Sequence, residues 1–342
     1  MISENTVEEL MKQKYGKDRL CLVSPDYFEI LGTDRVQDTN KLFGEKFLAY
    51  RKAWRENPSK NIVGNFPLHL DVESTNTCNL RCAMCQIPFD KMKPGFIDMN
   101  LYNKILEEIK THGLPSIKFN FRGEPLMHPK IDELVKKAKE AGVLEAQFNS
   151  NGTLLTEEKA RKLIDAGLDR IKFSVDSINP DTYNSIRIGA DYEKTISRII
   201  SLIDMRNDLG KKIPSIQVQM VYMESNHKEV EDYLDFWEDK VNRIGISRYR
   251  SGGNITGEEE RMTAMQNRIP CPQLWQRLVV LYDGTILMCC GDYSMKNPLG
   301  NVNHDKLSDI WKSKTLENYR KLHLNYDFDK IDACLDCEVN YA

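Results

Sequence analysis

The features this chain of 342 residues lacks already close off several kinds of function. No apolar run approaches membrane-spanning length, so no transmembrane helix is expected. The N-terminus has no basic-then-apolar signal pattern, which makes a cytoplasmic protein the expectation. Charge of one sign is also missing. Lys and Arg number 48 against 51 Asp and Glu, a net charge of −3, which argues against a general nucleic-acid binder. Internal repeats and low-complexity segments are absent. The hydrophobic fraction of 41% suits a soluble protein with a substantial core.

Cysteine, by contrast, is plentiful and clustered. Of nine cysteines, three fall at 78–85, followed by Cys271, Cys289, Cys290, Cys334 and Cys337. Only Cys21 stands alone, and a lone cysteine reads as a small buried apolar residue. Without an export signal the others read as reduced thiols used as metal ligands, not as disulfides.

Residues 1–64 read as an N-terminal helical extension, with helices over Val7–Tyr15 and Asn40–Glu56. The second has Leu42, Phe43, Phe47, Leu48 and Trp54 on an apolar stripe. An N-terminal peptide-recognition domain would need a strand–strand–helix pattern, and none is evident. From 65 to 250 strands and helices alternate. The expected strands are Phe66–Ser74, Ser116–Phe121, Ala146–Ser150, Arg170–Val175, Ser215–Tyr222 and Arg243–Arg250. The expected helices are Leu101–Thr111, Ile131–Ala141, Glu157–Ala166, Tyr192–Leu209 and Asn226–Asp239. Thr156 and Gly167 can cap and end the third helix, and Asn226-x-x-Glu229 has a capping-box pattern.

This alternation predicts parallel strands joined by right-handed crossovers, an α/β fold. Six units are too few for a closed eight-fold barrel, so the expectation is a partial (β/α)6 TIM barrel with ligands at the C-terminal strand ends. Residues 251–342 read as a polar linker and a small C-terminal domain. In that domain Asp283-Gly284 supplies a type I′ hairpin turn, Lys306–His323 is helical, and Cys334-x₂-Cys337 closes the chain.

The strongest motif is Cys78-x₃-Cys82-x₂-Cys85, on a loop after the first barrel strand. Three thiolates cannot alone fill a tetrahedral zinc. They can hold three corners of a [4Fe–4S] cubane, leaving one iron without a protein ligand. The alternative is a structural zinc shared by Cys82-x₂-Cys85 and Cys334-x₂-Cys337, which leaves Cys78, Cys271 and Cys289 unexplained.

That spacing resembles the signature of the radical S-adenosylmethionine (SAM) superfamily. The resemblance implies a partial barrel, a [4Fe–4S] cluster whose open iron chelates SAM, and an electron supplied by a flavodoxin or ferredoxin-type donor. Reductive cleavage of SAM then yields a 5′-deoxyadenosyl radical that takes a hydrogen atom from a substrate. Arg122-Gly123-Glu124-Pro125 is similar to the family's Gly-Gly-Glu-Pro, with Arg122 departing from the second glycine. By the resemblance, Gly123 and Glu124 receive the SAM ammonium and Ser150 and Asn151 lie near its ribose or methionine portion. Ser174 binds the carboxylate with Arg187 as partner, and Met223 packs on adenine. Met84 sits where the family often carries an aromatic residue. Read without the resemblance, these positions are turn chemistry, a surface charge and core packing.

Gly284-x₄-Cys289 resembles the hairpin of the SPASM/twitch extensions of radical SAM enzymes, which bind auxiliary iron–sulfur clusters. The resemblance implies one auxiliary [4Fe–4S] cluster ligated by Cys271, Cys289, Cys334 and Cys337, with Cys290 turned to the opposite face of its strand. The alternative is a four-cysteine zinc ribbon.

A fully ligated auxiliary cluster suits one-electron transfer. The expected function is therefore a radical SAM oxidoreductase acting on a sugar, aminocyclitol or polyol, anionic derivatives included, with no membrane partner. Candidates for a catalytic base or substrate contact at strand ends are Glu73, Arg122, Tyr222, Tyr249 and Arg250. The alternatives are a peptide-modifying maturase and a non-catalytic iron–sulfur or zinc protein.

Overall fold

The computed structural model describes residues 11–15, 20–24, 27–31, 43–85, 87, 93–249, 267–335 and 337. Arg250 and the side chain of Cys21 fall outside what is described. The strands are β1 (Leu20–Ser24), β2 (Tyr27–Leu31), β3 (His69–Val72), β4 (Ser116–Lys118), β5 (Glu145–Ser150), β6 (Arg170–Ser174), β7 (Ser215–Tyr222) and β8 (Arg243–Arg248). Near the C-terminus come β9 (Arg277–Val280), β10 (Thr285–Leu287) and β11 (Pro298–Asn301).

All eleven join one open sheet in the order β1-β2-β8-β7-β6-β5-β4-β3-β9-β10-β11. Strands β3 to β8 run parallel in sequence order. The six-unit partial barrel expected from the alternation is therefore present, and the sheet does not close on itself. Among the described residues no helix is long and apolar enough to cross a membrane.

Strand periodicity explains the layering. Leu70, Ile117, Ala146, Phe148, Ile171, Phe173, Ile216, Val218, Ile244 and Ile246 are buried in one continuous hydrophobic core. That core also takes in Leu106 and Ile109 of helix Met99–His112 and Ile199 and Leu202 of helix Tyr192–Asp208. The alternate positions are polar and pair across strands: Lys118 with Asp71 at 2.7 Å, Arg277 with Asp71 at 3.0 Å, and Arg170 with Glu145 at 2.9 Å. This polar face points to the other side of each strand and leads to the C-terminal strand ends.

Four local expectations are corrected. Residues 20–31 are a β-hairpin, not part of a helical extension, and β2 pairs antiparallel with β8. The apolar and aromatic run of β2 gains more by completing the ladder of an edge strand than by forming a short helix. The turn at Asp283-Gly284 is not type I′, because only Gly284 has positive φ (91°) and Gly284 N–H bonds to Leu281 O at 2.9 Å. That is a three-residue connection with glycine in the left-handed position. Asn226 does not cap the helix that follows. Its side chain, 1% exposed, accepts from Met223 N and donates to Asp176 O and Val221 O, all at 2.8 Å. The expected C-terminal helix is two helices, Leu307–Trp311 and Lys314–Leu324, the second capped by Ser313.

The C-terminal segment does not build a separate sheet. Strand β9 lies parallel to β3, so the hairpin continues the barrel sheet beside the first cysteine loop.

Candidate active site: two cysteine groups and one cavity

The loop that carries Cys78, Cys82 and Cys85 is pinned at both ends. Before it, Thr77 O accepts from Glu124 N at 2.7 Å. Gly123, at φ +70°, comes so close that an added Cβ would stand 2.4 Å from Thr75 O and 2.6 Å from Thr77 O. Only glycine allows that approach. Along the loop, Arg81 N and Ala83 N bond to Ile188 O and Ile186 O at 3.0 and 2.9 Å, and Leu80 is buried as an anchor.

Burial pushes the Cys78 thiol up to about 11, with Cys82 and Cys85 adding to the shift. Metal binding would have to remove that proton. Two side-chain donors already face the sulfurs, Asn151 Nδ2 at 3.8 Å from Cys78 Sγ and Arg187 Nη1 at 3.5 Å from Cys82 Sγ, beside the Leu80 N–H at 3.5 Å from Cys78 Sγ.

The strand ends above this loop open into a cavity of about 640 Å³. Cys78, Cys82 and Cys85 line one wall, with Gly123, Glu124, Ser150, Asn151, Ser174 and Arg187 around it. Phe121, Tyr249, Tyr293 and Tyr27 also line the cavity. The volume falls within the range usual for ligand sites.

Glu124 is 2% exposed and largely committed to its own chain. It accepts from Asn151 N at 2.7 Å, Ser150 Oγ at 2.8 Å and Leu126 N at 3.0 Å. A carboxylate has about four acceptor positions, so one remains for a ligand ammonium. Burial raises the pKa of this carboxyl, against the lowering effect of those three donors. Arg187 is likewise held, by Asp176 and by Cys82. Met223 is not among the cavity-lining residues. It sits in the turn after β7, its N–H capped by Asn226.

The catalytic candidates separate. Glu73 is fully buried and clamps Arg122 through Nε at 2.6 Å and Nη2 at 3.0 Å. It also accepts from Tyr282 N at 3.3 Å, so the pair ties the barrel to the C-terminal hairpin. Glu73 does not line the cavity; Arg122 does. Tyr222 falls on the outer face by strand alternation and packs against the main core, while Val221 faces inward. Tyr249 lines the cavity.

Sequence reasoning missed three contributors. Phe121 and Tyr293 stack at 5.2 Å and 6°, and Tyr293 remains 42% exposed to the cavity. The Tyr293 phenol is pushed up, first by its crowded surroundings, then by the Cys290 and Cys289 sulfurs and, less strongly, by Cys85. Tyr293 thus lines the same cavity as Cys78, Cys82 and Cys85 and follows Cys289 by four residues. Tyr27, from the hairpin read as helix, donates to Glu29 Oε1 at 2.6 Å and accepts from Gln217 at 2.8 Å and Lys172 at 2.9 Å. The Tyr-Phe-Glu-Ile-Leu alternation of β2 was the signal available for it.

In the C-terminal group, burial raises Cys271 and Cys289 well above the ordinary thiol range and brings Cys334 to about 12. The smaller raising contributions to Cys271 come from Cys337, Cys334 and Cys290. Cys289 packs against the main core and Cys290 against the separate Val279–Leu281–Leu287 cluster, so the neighbours face opposite ways. Cys290 Sγ is bonded to Gln273 Oε1 at 3.1 Å.

Among the described residues no three Cys, His, Asp or Glu side chains converge tightly enough to hold a single metal ion. One zinc needs its sulfurs about 2.3 Å from a common centre. A cubane gives each thiolate an iron of its own, so more widely spaced sulfurs suit it.

Comparisons with known proteins agree with this arrangement. Residues 72–237 match the family model of the radical SAM superfamily, and residues 271–338 match that of the SPASM iron–sulfur cluster-binding domain. The chain is 27% identical over 318 residues to the tungsten-containing aldehyde ferredoxin oxidoreductase cofactor-modifying protein of Pyrococcus furiosus, covering 80% of this chain and 88% of that one. It is 31% identical over 176 residues to a probable GTP 3′,8-cyclase of Methanocaldococcus jannaschii, covering 50% of this chain and 55% of that one. The chain therefore spans about half the length of that second relative. Solved structures with a similar fold include BtrN in complex with AdoMet and 2-DOIA (TM-score 0.53, 19% identity, 80% and 93% coverage). Streptococcus suis SuiB bound to S-adenosylmethionine also resembles it (TM-score 0.61, 17% identity, 85% and 76% coverage).

Proposed function

We propose that this chain, a radical SAM enzyme of the radical SAM superfamily that carries a SPASM iron–sulfur cluster-binding domain, oxidises a small polar substrate seated between its two cysteine groups. The family implies a [4Fe–4S] cluster, SAM and auxiliary iron–sulfur chemistry. The donor set fits: three thiols on one loop, a glycine cradle beside it, and four further cysteines, of which Cys334 is buried and Cys271, Cys289 and Cys337 are half-buried. In this reading Cys78, Cys82 and Cys85 hold the first cluster and Gly123, Glu124, Ser150, Asn151 and Ser174 seat SAM. Arg187 keeps Cys82 and Asp176 in place. Cys271, Cys289, Cys334 and Cys337 hold one auxiliary cluster with every corner closed, which suits electron acceptance over substrate ligation.

When bound, the first cluster and SAM supply a 5′-deoxyadenosyl radical that removes a hydrogen atom from a C–H bond. The chain's own residues supply the rest. Phe121, Tyr293 and Tyr249 offer aromatic faces to the carbon skeleton of a cyclitol or sugar. Asn120 and Asn149 offer amides to its hydroxyls. Tyr27 adds its ring to the cavity wall, its hydroxyl being taken up by Glu29, Gln217 and Lys172. Arg122 is occupied by Glu73 and serves to fix the wall.

One observation carries this reading. A single cavity is lined by the first cysteine loop and by Tyr293, four residues after Cys289. The test is anaerobic turnover of reconstituted enzyme with SAM, reductant and candidate cyclitols or sugars. The expected result is 5′-deoxyadenosine together with a substrate oxidised by two electrons. Absence of 5′-deoxyadenosine under every condition removes the reading. A second reading, in which the substrate is a nucleotide or cofactor precursor, draws on the similarity to the Pyrococcus furiosus cofactor-modifying protein. A redox-neutral product from such a compound in the same assay would favour it.

A further inference from the structure

We propose that His323 donates a hydrogen bond to the sulfur of Cys334 and thereby raises the reduction potential of the auxiliary cluster. The inference rests on the reading that Cys334 is a cluster ligand. Helix Lys314–Leu324 carries His323 in its last turn, 2% exposed. Its two ring nitrogens face different cysteines. Cys271 N–H points at Nδ1 at 3.1 Å, and Nε2 lies 3.5 Å from Cys334 Sγ.

A backbone N–H can only donate, so Nδ1 must be the acceptor and carry no proton. The tautomer follows: the ring proton is on Nε2, aimed at the sulfur. The ring is held in that plane by the edge of Phe328, at 5.0 Å and 67°. Arg268 fixes the same cysteine from its backbone side, Nη2 donating to Cys334 O at 2.8 Å. A hydrogen bond to a ligating thiolate favours the more negative, reduced state of a cluster, and such contacts are a principal means by which proteins set cluster potentials. His323 is thus a positioning and tuning residue, outside substrate contact.

The experiment is a redox titration followed by EPR on the holoenzyme, with the first cluster as internal reference. In His323→Phe the auxiliary midpoint should fall while the first cluster's midpoint stays. His323→Gln, which keeps an N–H donor and an acceptor, should return it towards wild type. His323→Leu serves the same comparison if the Phe variant does not load. An unchanged auxiliary midpoint without the donor overturns the proposal. So does loss of the auxiliary cluster in the Gln variant as well as the apolar ones, because the ring would then bind metal or hold the fold. Retention of both clusters in Cys334→Ala would instead remove the ligand reading, whatever the His323 variants show.

Discussion

Replacing Gly123 by alanine tests how the cysteine loop is held. Gly123 sits at φ +70°, and its added methyl would meet Thr75 O at 2.4 Å, Thr77 O at 2.6 Å and the Asn76 carbonyl carbon at 2.9 Å. All three are backbone atoms, so no side-chain rotation relieves the contact. The left-handed conformation alone costs an alanine about 1–2 kcal/mol. Pushing back the 75–77 segment adds an overpacking cost of about 1–3 kcal/mol, for a total of roughly 2–5 kcal/mol.

That segment leads directly into Cys78, so the displacement also moves the first ligand. Gly142→Ala is the matched control. Its φ is +93° and nothing lies within 4 Å of an added Cβ, so only the conformational term applies. Chemical denaturation of the apoproteins and iron content after reconstitution are the assays. Gly123→Ala should be clearly less stable than Gly142→Ala and should load the first cluster poorly. Equal stability and equal iron in the two variants would refute the reasoning.

Three other outcomes are expected. Glu124→Ala leaves the N–H groups of Leu126 and Asn151 without their acceptor, and each orphaned buried group costs about 1–3 kcal/mol, so the denaturation midpoint should fall substantially, and less in Glu124→Gln. Lys172 has its pKa lowered to about 8 from 10.5, chiefly by burial. The folded state therefore sheds the proton first. The stability this residue contributes is fully present above pH 10.5 and is lost as pH falls through about 8. The span corresponds to at most about 3 kcal/mol, and Lys172→Met should flatten the rise in urea midpoint over that window; an unchanged slope contradicts it. Tyr293→Ala should raise KM for the substrate about three- to tenfold, the worth of one aromatic stack, while substrate-free formation of 5′-deoxyadenosine stays at the wild-type rate.

Much of this site was legible because its signals are local. The Cys78–Cys85 spacing, the glycine before Glu124 and the short polar residues at 150, 151 and 174 are each set by a few neighbouring residues and by strand endings. Strand periodicity likewise gave the six parallel units. What escaped were partnerships across long sequence separation. Nothing near Glu73 shows that Arg122, 49 residues on, will occupy both its oxygens. Nothing near Tyr27 shows that a hairpin will deliver it to Lys172 of β6, 145 residues away. Asn226 failed as a cap because buried carbonyls of Asp176 and Val221 needed a donor more than the helix needed an acceptor. Tyr222 alternates with the cavity-lining Val221 on β7, and Met223 follows in the turn; neither lines the cavity.

In the proposed site one iron beside Cys78, Cys82 and Cys85 has no protein ligand. EPR of the reduced protein bearing only that cluster, with Cys271 and Cys289 replaced by alanine, tests it directly. Adding SAM should change the spectrum, because SAM binds the open iron. A spectrum indifferent to SAM, or a loop that takes up zinc without sulfide, would contradict it.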